Sequence, residues 1–403
     1  MKILISAYVV DPESGSEPLM AWQWIYGAQF HNHEVYVLTS PDSAEKLTKK
    51  ITQLHLKNIA VYSVPYSNVA LGWLPREAAM YLRYWLWQFS LAKFTKVHNL
   101  RSCDLAHHTS WGNIGLGSGL SRLGMPFIFG PAGGGVVADP RLKYFFGQDW
   151  KSERIRTMLR RSYRYAFFPK FSVSRAKVVL TTNQATLQLA KKLGSRQTKL
   201  FLPDSIEAKD ISKARFKPES LNVLYVARFL PIKGANLALR AFGLSLEKYP
   251  EAILTMVGDG PKLSEIKSLA RNLGISDSVR FLGFLPWAEV QNKYSFATLF
   301  IFPSLRDNFG AQTLEAAAKG IPILTLENSG ASEWIPEPAI TTTRIGTPQE
   351  TIKNLSDGIN SIFALDPKQW KLASETAINF AQQNTRERKT EEMNKIYYGL
   401  TEG

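Results

Sequence analysis

The stretch that decides the architecture is the first forty residues. KILISAY (Lys2–Tyr8) is a short apolar run with β-branched residues. A loop of Gly, Ser and Pro follows over Asp11–Pro18, then a helical stretch, Leu19–His31. HEVYVLT (His33–Thr39) is a second run of strand composition. Strand, glycine-bearing loop, helix, strand is a βαβ unit, and it predicts a parallel sheet. Working outward, strands are predicted at Ala60–Ser63, Asp104–His108, Pro126–Gly130 and Ala176–Thr181, with helical patterns between them. The pattern restarts after Pro203. Asn222–Ala227 (NVLYVA), Ala252–Val257, Val279–Phe284, Leu299–Phe302 and Ile323–Leu326 read as strands. Asn236–Lys248, Lys262–Leu273, Trp287–Phe296 and Ala311–Lys319 read as the helices between them, and Ser374–Leu400 as a final long one. The result is two doubly wound α/β units in series, with a boundary near residues 203–220.

Length and composition agree with this reading. A chain of 403 residues has room for two such domains, and 45% apolar against 21% charged residues marks a globular chain. The single cysteine, Cys103, excludes a disulfide framework and a cysteine-based zinc site. Met1–Val10 is basic and then apolar, but Asp11-Pro-Glu13 cuts it short and no cleavage site follows, so it reads as a buried strand. The longest apolar window, Ala78–Phe94, is broken by Arg83 and Lys93, which argues against a spanning helix. These features together predict a cytoplasmic protein.

In open α/β sheets, ligands sit outside the C-terminal ends of the strands, so the loops after strands carry the candidate chemistry. Arg228 follows a strand, and Lys233-Gly234 stands five residues on. An arginine can bind phosphate bidentately and a lysine supplies a point charge, so the pair suits a diphosphate. Val257-Gly258-Asp259-Gly260-Pro261 lets backbone approach a ligand closely, though a plain strand-to-helix turn reads the same way. It lacks the full G-x-G-x-x-G spacing of a dinucleotide site, and no Walker loop occurs. Phe302–Gly310 then leads into Thr313-Leu314-Glu315. Asp307 falls in the loop, and Glu315 is a lone acid on an apolar helix. The N–H groups of Asn308, Phe309 and Gly310 stand ahead of that helix, a favourable place for phosphate.

Four ordered motifs now stand on one stretch: Arg228-x4-Lys233-Gly234, Val257–Pro261, Phe281-Leu-Gly-Phe-Leu-Pro286 and Phe302–Glu315. In order and spacing the stretch resembles the family 4 glycosyltransferases of the GT-B fold. The likeness is strong over about residues 222–330 and looser elsewhere. It implies two Rossmann-like doubly wound parallel-sheet domains facing across a cleft. Residues 1–205 would be the acceptor domain, 206–380 the nucleotide-sugar domain, and 381–403 a helix packing back toward the first domain. It implies retaining transfer of a sugar to a hydroxyl of a glycan or lipid-linked acceptor, of the kind that builds exopolysaccharides. The acceptor would attack from the front face and the leaving phosphate would take its proton.

The same resemblance implies the site. Arg228 and Lys233 would hold the diphosphate, Asp307 the donor sugar and Glu315 the ribose. Gly258 and the segment containing Gly283 would frame the nucleotide. The family usually has Glu where Asp307 stands, and the shorter arm alters the sugar contact. Gly15 and Ser16 in the first loop would face the diphosphate and acceptor. Glu17 with Gly133, Gly134 and Gly135 would form the acceptor side, although a triple glycine also reads as a flexible turn. Members of the family often place a histidine near the reacting sugar. Here His107 and His108 are adjacent and so point to opposite faces, and His108, nearer the strand end, is the expected sugar-facing one. No Asp-x-Asp occurs, and no metal or other cofactor is expected, the nucleotide-sugar being a substrate.

Charge divides the chain as the strands do. Residues 1–200 hold 26 Lys and Arg against 11 Asp and Glu, and residues 201–403 hold 23 of each, so the first half carries the whole excess of +15. The excess concentrates in Arg76–Arg101 and Arg141–Lys177, where cations interleave with Tyr, Trp and Phe. That pattern suits an anionic membrane surface and predicts a peripheral place on its inner face, solvated helix faces being the plainer reading. No nucleic-acid motif accompanies it. The functions to weigh beside sugar transfer are a membrane-associated, non-catalytic nucleotide-sugar-binding protein and a Rossmann-type NAD oxidoreductase.

Overall fold

The structure is a computed structural model that describes residues 1–13, 17–66 and 76–401. The chain divides into two compact units: Met1–Gly135, Leu159–Pro203 and Arg386–Gly403 form one, Val136–Met158 and Asp204–Thr385 the other.

The first unit is a seven-stranded parallel sheet: β1 (Lys2–Ala7), β2 (Glu34–Thr39), β3 (Ile59–Ser63), β4 (Leu105–Ser110), β5 (Phe127–Ala132), β6 (Val178–Thr181) and β7 (Thr198–Leu200). The strand order is β3-β2-β1-β4-β5-β6-β7. Side chains alternate across it. Ile3 and Ile5 pack with Trp22, Trp24 and Ile25 on one face, while Leu4 packs with Tyr84, Trp87 and Leu91 on the other. Burial on both faces explains why these strands are almost wholly apolar.

The second unit is a six-stranded parallel sheet: β8 (Asn222–Val226), β9 (Ile253–Val257), β10 (Val279–Gly283), β11 (Leu299–Phe302), β12 (Ile323–Leu326) and β13 (Ile340–Thr343). Its order is β10-β9-β8-β11-β12-β13. Val136–Met158 packs into its core through buried Ala138, Leu142, Phe145 and Phe146, and Asn236 Nδ2 donates to Phe145 O at 2.9 Å. Both sheets are doubly wound, as the βαβ reading predicts. Each reverses its strand order once, between β1 and β4 and between β8 and β11, and these are the points where such sheets bind ligands.

Two readings of the sequence need correction. Edge strands β7 and β13 were not predicted, because TKL and ITTT are short and lack an apolar run. The stretch Ser374–Leu400 is two helices, Pro367–Gln383 and Arg386–Thr401. Asn384 and Thr385 interrupt it: Asn384 Nδ2 donates to Phe380 O at 2.8 Å, and Thr385 bridges to Ile206. The first of these helices buries Trp370 in the second unit, with its indole N–H on Thr298 O at 3.2 Å. The second buries Met393 and Tyr397 in the first unit.

Candidate active site at the strand-order reversals

In the second unit, β8 and β11 lie side by side and their following loops meet. Buried Phe229 anchors the loop after β8, while Arg228 before it points out and is exposed. The loop closes through Gly234 at φ 67°, where a Cβ would lie 2.0 Å from Pro303 O, so only glycine fits. This turn aims Lys233 at the loop after β11. Lys233 Nζ lies 2.5 Å from Asp307 Oδ2, both side chains being mostly buried. Ser304 Oγ donates to the same oxygen at 3.3 Å, and Asn308 N–H donates to Asp307 Oδ1 at 2.9 Å. The backbone ties the two loops as well, Leu305 N–H donating to Ile232 O at 2.8 Å. Arg228, Lys233, Asp307 and Asn308, separated in sequence, therefore stand on two adjoining loops.

Gly258 ends β9 at φ 130°, with a Cβ position 2.0 Å from Ala227 O, and its N–H donates to Gly283 O at 2.7 Å. Gly258 lets the ends of β8 and β9 crowd together beside Arg228, while Gly283, at φ 69° with open space where a Cβ would lie, serves only the backbone turn. Gly310, at φ 91°, opens the helix Ala311–Ala318 and would clash with Phe302 if it carried a Cβ. Phe309 is turned into the core beside Phe380, so it anchors the loop and offers a ligand only backbone. Glu315 lies part-buried on that helix and accepts from Tyr294 Oη at 3.0 Å. Burial pushes its carboxyl up to about 7, and the bond from Tyr294 opposes this.

Sequence reasoning missed two supports of this site. Tyr294, fully buried, fixes Glu315. Glu153 reaches the loop after β11 from the segment Val136–Met158: its Oε1 lies 2.8 Å from Arg306 Nε, and its Oε2 accepts from Arg156 Nη1 at 3.0 Å. Burial holds the Arg306 guanidinium below its usual range, with the Glu153 charge opposing. Arg306 is thus turned inward while its neighbour Asp307 turns to Lys233. The one sequence signal was that Glu153 is the sole acid of residues 151–177, a basic run.

At the corresponding reversal in the first unit, the described groups bond to one another. Glu17 Oε1 accepts from Gly112 N–H at 2.5 Å, linking the helix after β1 to the turn after β4, and burial raises the carboxyl's pKa. Gly15 and Ser16 lie outside the described residues. Gly133 N–H donates to Gly112 O at 2.6 Å, and Gly135 N–H donates to Thr186 Oγ1 at 3.1 Å. A Cβ on Gly134 would meet Asn113 Oδ1 at 2.5 Å, so the triple glycine is a packed strand end and not a flexible turn.

The histidine expectation is corrected. The two rings do point to opposite faces, but both are fully buried. His107 Nε2 lies 2.6 Å from Gly130 O, which makes it the N–H donor, and Nδ1 accepts from Tyr397 Oη at 2.7 Å. His108 Nδ1 lies 3.1 Å from Ser6 Oγ, and Nε2 lies 3.1 Å from Tyr84 Oη and 3.3 Å from Trp111 O. Burial pushes His107 down to about 4 and His108 to about 3. With every ring nitrogen engaged inside the protein, both are neutral core histidines, and neither presents an atom to a sugar.

Comparison with known proteins follows this geometry. Residues 207–380 match the family model of the glycosyl transferases group 1, and they contain the whole second reversal. Over 145 residues the chain is 28% identical to a GDP-mannose-dependent alpha-(1-6)-phosphatidylinositol monomannoside mannosyltransferase of Mycobacterium tuberculosis. That covers 34% of this chain and 38% of the relative. It is also similar to a D-inositol 3-phosphate glycosyltransferase of Corynebacterium jeikeium, 32% identical over 139 residues, covering 32% and 33%. The chain thus matches only about a third of the length of these curated relatives. Among solved structures, sucrose-phosphate synthase from Thermosynechococcus elongatus resembles the chain with a TM-score of 0.68 at 17% identity, covering 99% of this chain and 98% of that one. HepE from Anabaena, solved with UDP and glucose, gives 0.61 at 19% identity, covering 99% and 100%. These likenesses show the GT-B fold class for the chain, and the family model supports the glycosyl transferases group 1 for residues 207–380.

Proposed function

We propose that the protein is a glycosyltransferase that moves a sugar from a nucleotide-sugar to a hydroxyl of a glycan or lipid-linked acceptor, with retention of configuration and with the chain's own cations in place of a metal ion. The observation that carries this reading is the Lys233–Asp307 pair across the β8/β11 reversal, with exposed Arg228 on the same loop. A diphosphate leaving group gathers negative charge as the glycosidic bond breaks. Preorganised cations and backbone N–H groups stabilise that charge without reorganising. Arg228 and Lys233 supply the cations, and the N–H groups of Phe309 and Gly310 the dipoles. Asp307 accepts three hydrogen bonds within its own loops, one of them from Lys233, so it acts on the donor first by orienting that lysine. Glu315 faces the ribose. The relatives that use GDP-mannose and the solved complexes with UDP support a nucleotide-sugar without choosing the nucleotide. The reading includes a peripheral place on the inner face of the membrane, where a lipid-linked acceptor would lie.

Nucleotide release measured over a panel of UDP-, GDP- and ADP-sugars tests the reading. One donor turning over in wild type and failing in Arg228→Ala and Lys233→Ala is the expected result. Turnover unchanged in both variants would remove the diphosphate assignment.

A further inference from the structure

The first unit carries a surface that sugar chemistry does not require. On the helix Arg76–Val97, Tyr81, Trp85 and Phe89 recur every fourth residue and all three are exposed, so one face carries an exposed aromatic stripe. Phe89 meets Phe168 at 5.2 Å between ring centroids, and the Arg122 guanidinium lies 5.0 Å from one ring and 5.7 Å from the other. Beyond Phe168 the surface continues through Phe167, stacked on Phe171 at 5.8 Å, and through Arg175, which lies 4.6 Å over Phe171. Tyr165 and Phe167 are 76% and 78% exposed, values that soluble surfaces rarely give to two rings so close in sequence.

Charge selects the occupant. Residues 154–177 contain eight Lys and Arg and no acid. The helix leading into the patch, Trp150–Ser162, exposes Ile155, Met158 and Leu159 at i, i+3 and i+4 beside exposed Arg154 and Arg161. Aromatic rings over an apolar face, edged only by cations, match the interfacial layer of an anionic bilayer: rings at headgroup depth, guanidiniums on lipid phosphates. No helix among the described residues is long and apolar enough to cross a membrane, so the contact is in-plane. We infer that the surface formed by Trp85, Phe89, Tyr165 and Phe167, with Arg122, Arg161 and Arg164 around it, docks the protein on anionic lipid. The inference deepens the membrane part of the proposed function and is independent of whether Arg228 and Lys233 bind a diphosphate.

Full-length protein is sedimented with phosphatidylcholine vesicles, with or without 30 mol% phosphatidylglycerol. At low salt the anionic vesicles should bind at least tenfold more tightly, with the preference falling as salt rises. Tyr165→Ser combined with Phe167→Ser should lose at least fivefold while keeping all cations, and Arg122→Gln, Arg161→Gln and Arg164→Gln together at least tenfold. Both variants should retain wild-type nucleotide release from a soluble donor, which reports an intact fold and donor site. Equal binding to neutral and anionic vesicles would overturn the inference, as would binding to a DNA oligonucleotide that the aromatic variant leaves untouched. Self-association that the aromatic variant abolishes, without vesicle binding, would reassign the surface to a second copy of the chain.

Discussion

The strand-order reversals of the two units are built alike and finished differently. At each, a carboxylate bonds across the reversal: Glu17 to Gly112 N–H in the first, Asp307 to Lys233 in the second. In the first, the described groups are bonded to one another. His107 and His108 are consumed by internal partners, and Gly133–Gly135 are locked by backbone contacts. The second keeps its cations near the surface, with Arg228 exposed and Lys233 sharing one carboxylate. Titratable groups at a strand end are therefore not in themselves chemistry. What distinguishes a site is whether their bonding capacity is left over for a ligand.

The largest expected effect tests that distinction directly. Lys233→Ala or Arg228→Ala should lower kcat/KM for the donor by 10²–10³, about 3–4 kcal/mol of transition-state stabilisation; exposed Arg228→Ala should keep the melting temperature, whereas Lys233→Ala, which leaves mostly buried Asp307 without its cation, should lower it. His108→Gln should leave donor turnover within a few-fold of wild type in whatever fraction stays folded. A loss in His108→Gln as large as in Lys233→Ala would break the comparison. Steady-state kinetics beside circular dichroism reads both.

The next effect concerns what holds the open reversal in shape. Glu153→Gln leaves Arg306 charged and buried against a neutral amide, which costs roughly 3 kcal/mol. Because Arg306 precedes Asp307, the loop should loosen and the donor KM should rise more than kcat falls. A drop in melting temperature with donor KM unchanged would make Glu153 a stabilising residue only.

Much of this was legible in the sequence. The βαβ alternation specifies both sheets, because strands buried on two faces must be apolar throughout. Arg228, Lys233, Asp307 and Glu315 were readable as a set through the family resemblance that their ordered motifs carry, strand position alone placing Arg228, Lys233 and Asp307 only in loops after strands. Glu153 was not, since its partner is 153 residues away and an ion pair between distant elements leaves no periodic signal. The histidines misled for a related reason: strand position gives the face a side chain takes, but whether the far side of that face is packed depends on Tyr84 and Tyr397, which arrive from elsewhere in the chain.

The buried histidines of the first unit and Glu315 of the second should also respond to pH with opposite signs. In the first unit, the folded histidines titrate near 4 and 3 against about 6.5 unfolded. The unfolded chain then binds more protons below pH 6.5, so stability is full above that pH and is lost as pH falls toward 4. For His107 alone the loss approaches about 3 kcal/mol. Hydrogen exchange in a peptide covering β4, corrected for intrinsic rates, should be faster at pH 5 than at pH 7. A pH-independent opening rate would mean that the rings are not held neutral.

Glu315 gives the smallest and most discriminating effect. Its folded pKa of about 7 lies above the ordinary 4.5, so between these values the folded protein holds a proton that the unfolded chain has released. Stability therefore falls as pH rises from 4.5 to 7 and stays low above it, the reverse of the histidine case. Discounted for the part-buried setting, the cost at pH 8 is about 1–2 kcal/mol. Glu315→Gln removes it: the variant should be more stable than wild type at pH 8 and nearly equal to it at pH 4.5, while losing at least tenfold in donor affinity. Chemical denaturation at both pH values and donor titration separate the outcomes. A variant that gains stability and keeps its donor affinity would show Glu315 to be a buried acid without a ligand, and the second reversal would then be bonded internally at that position, as the described groups of the first are.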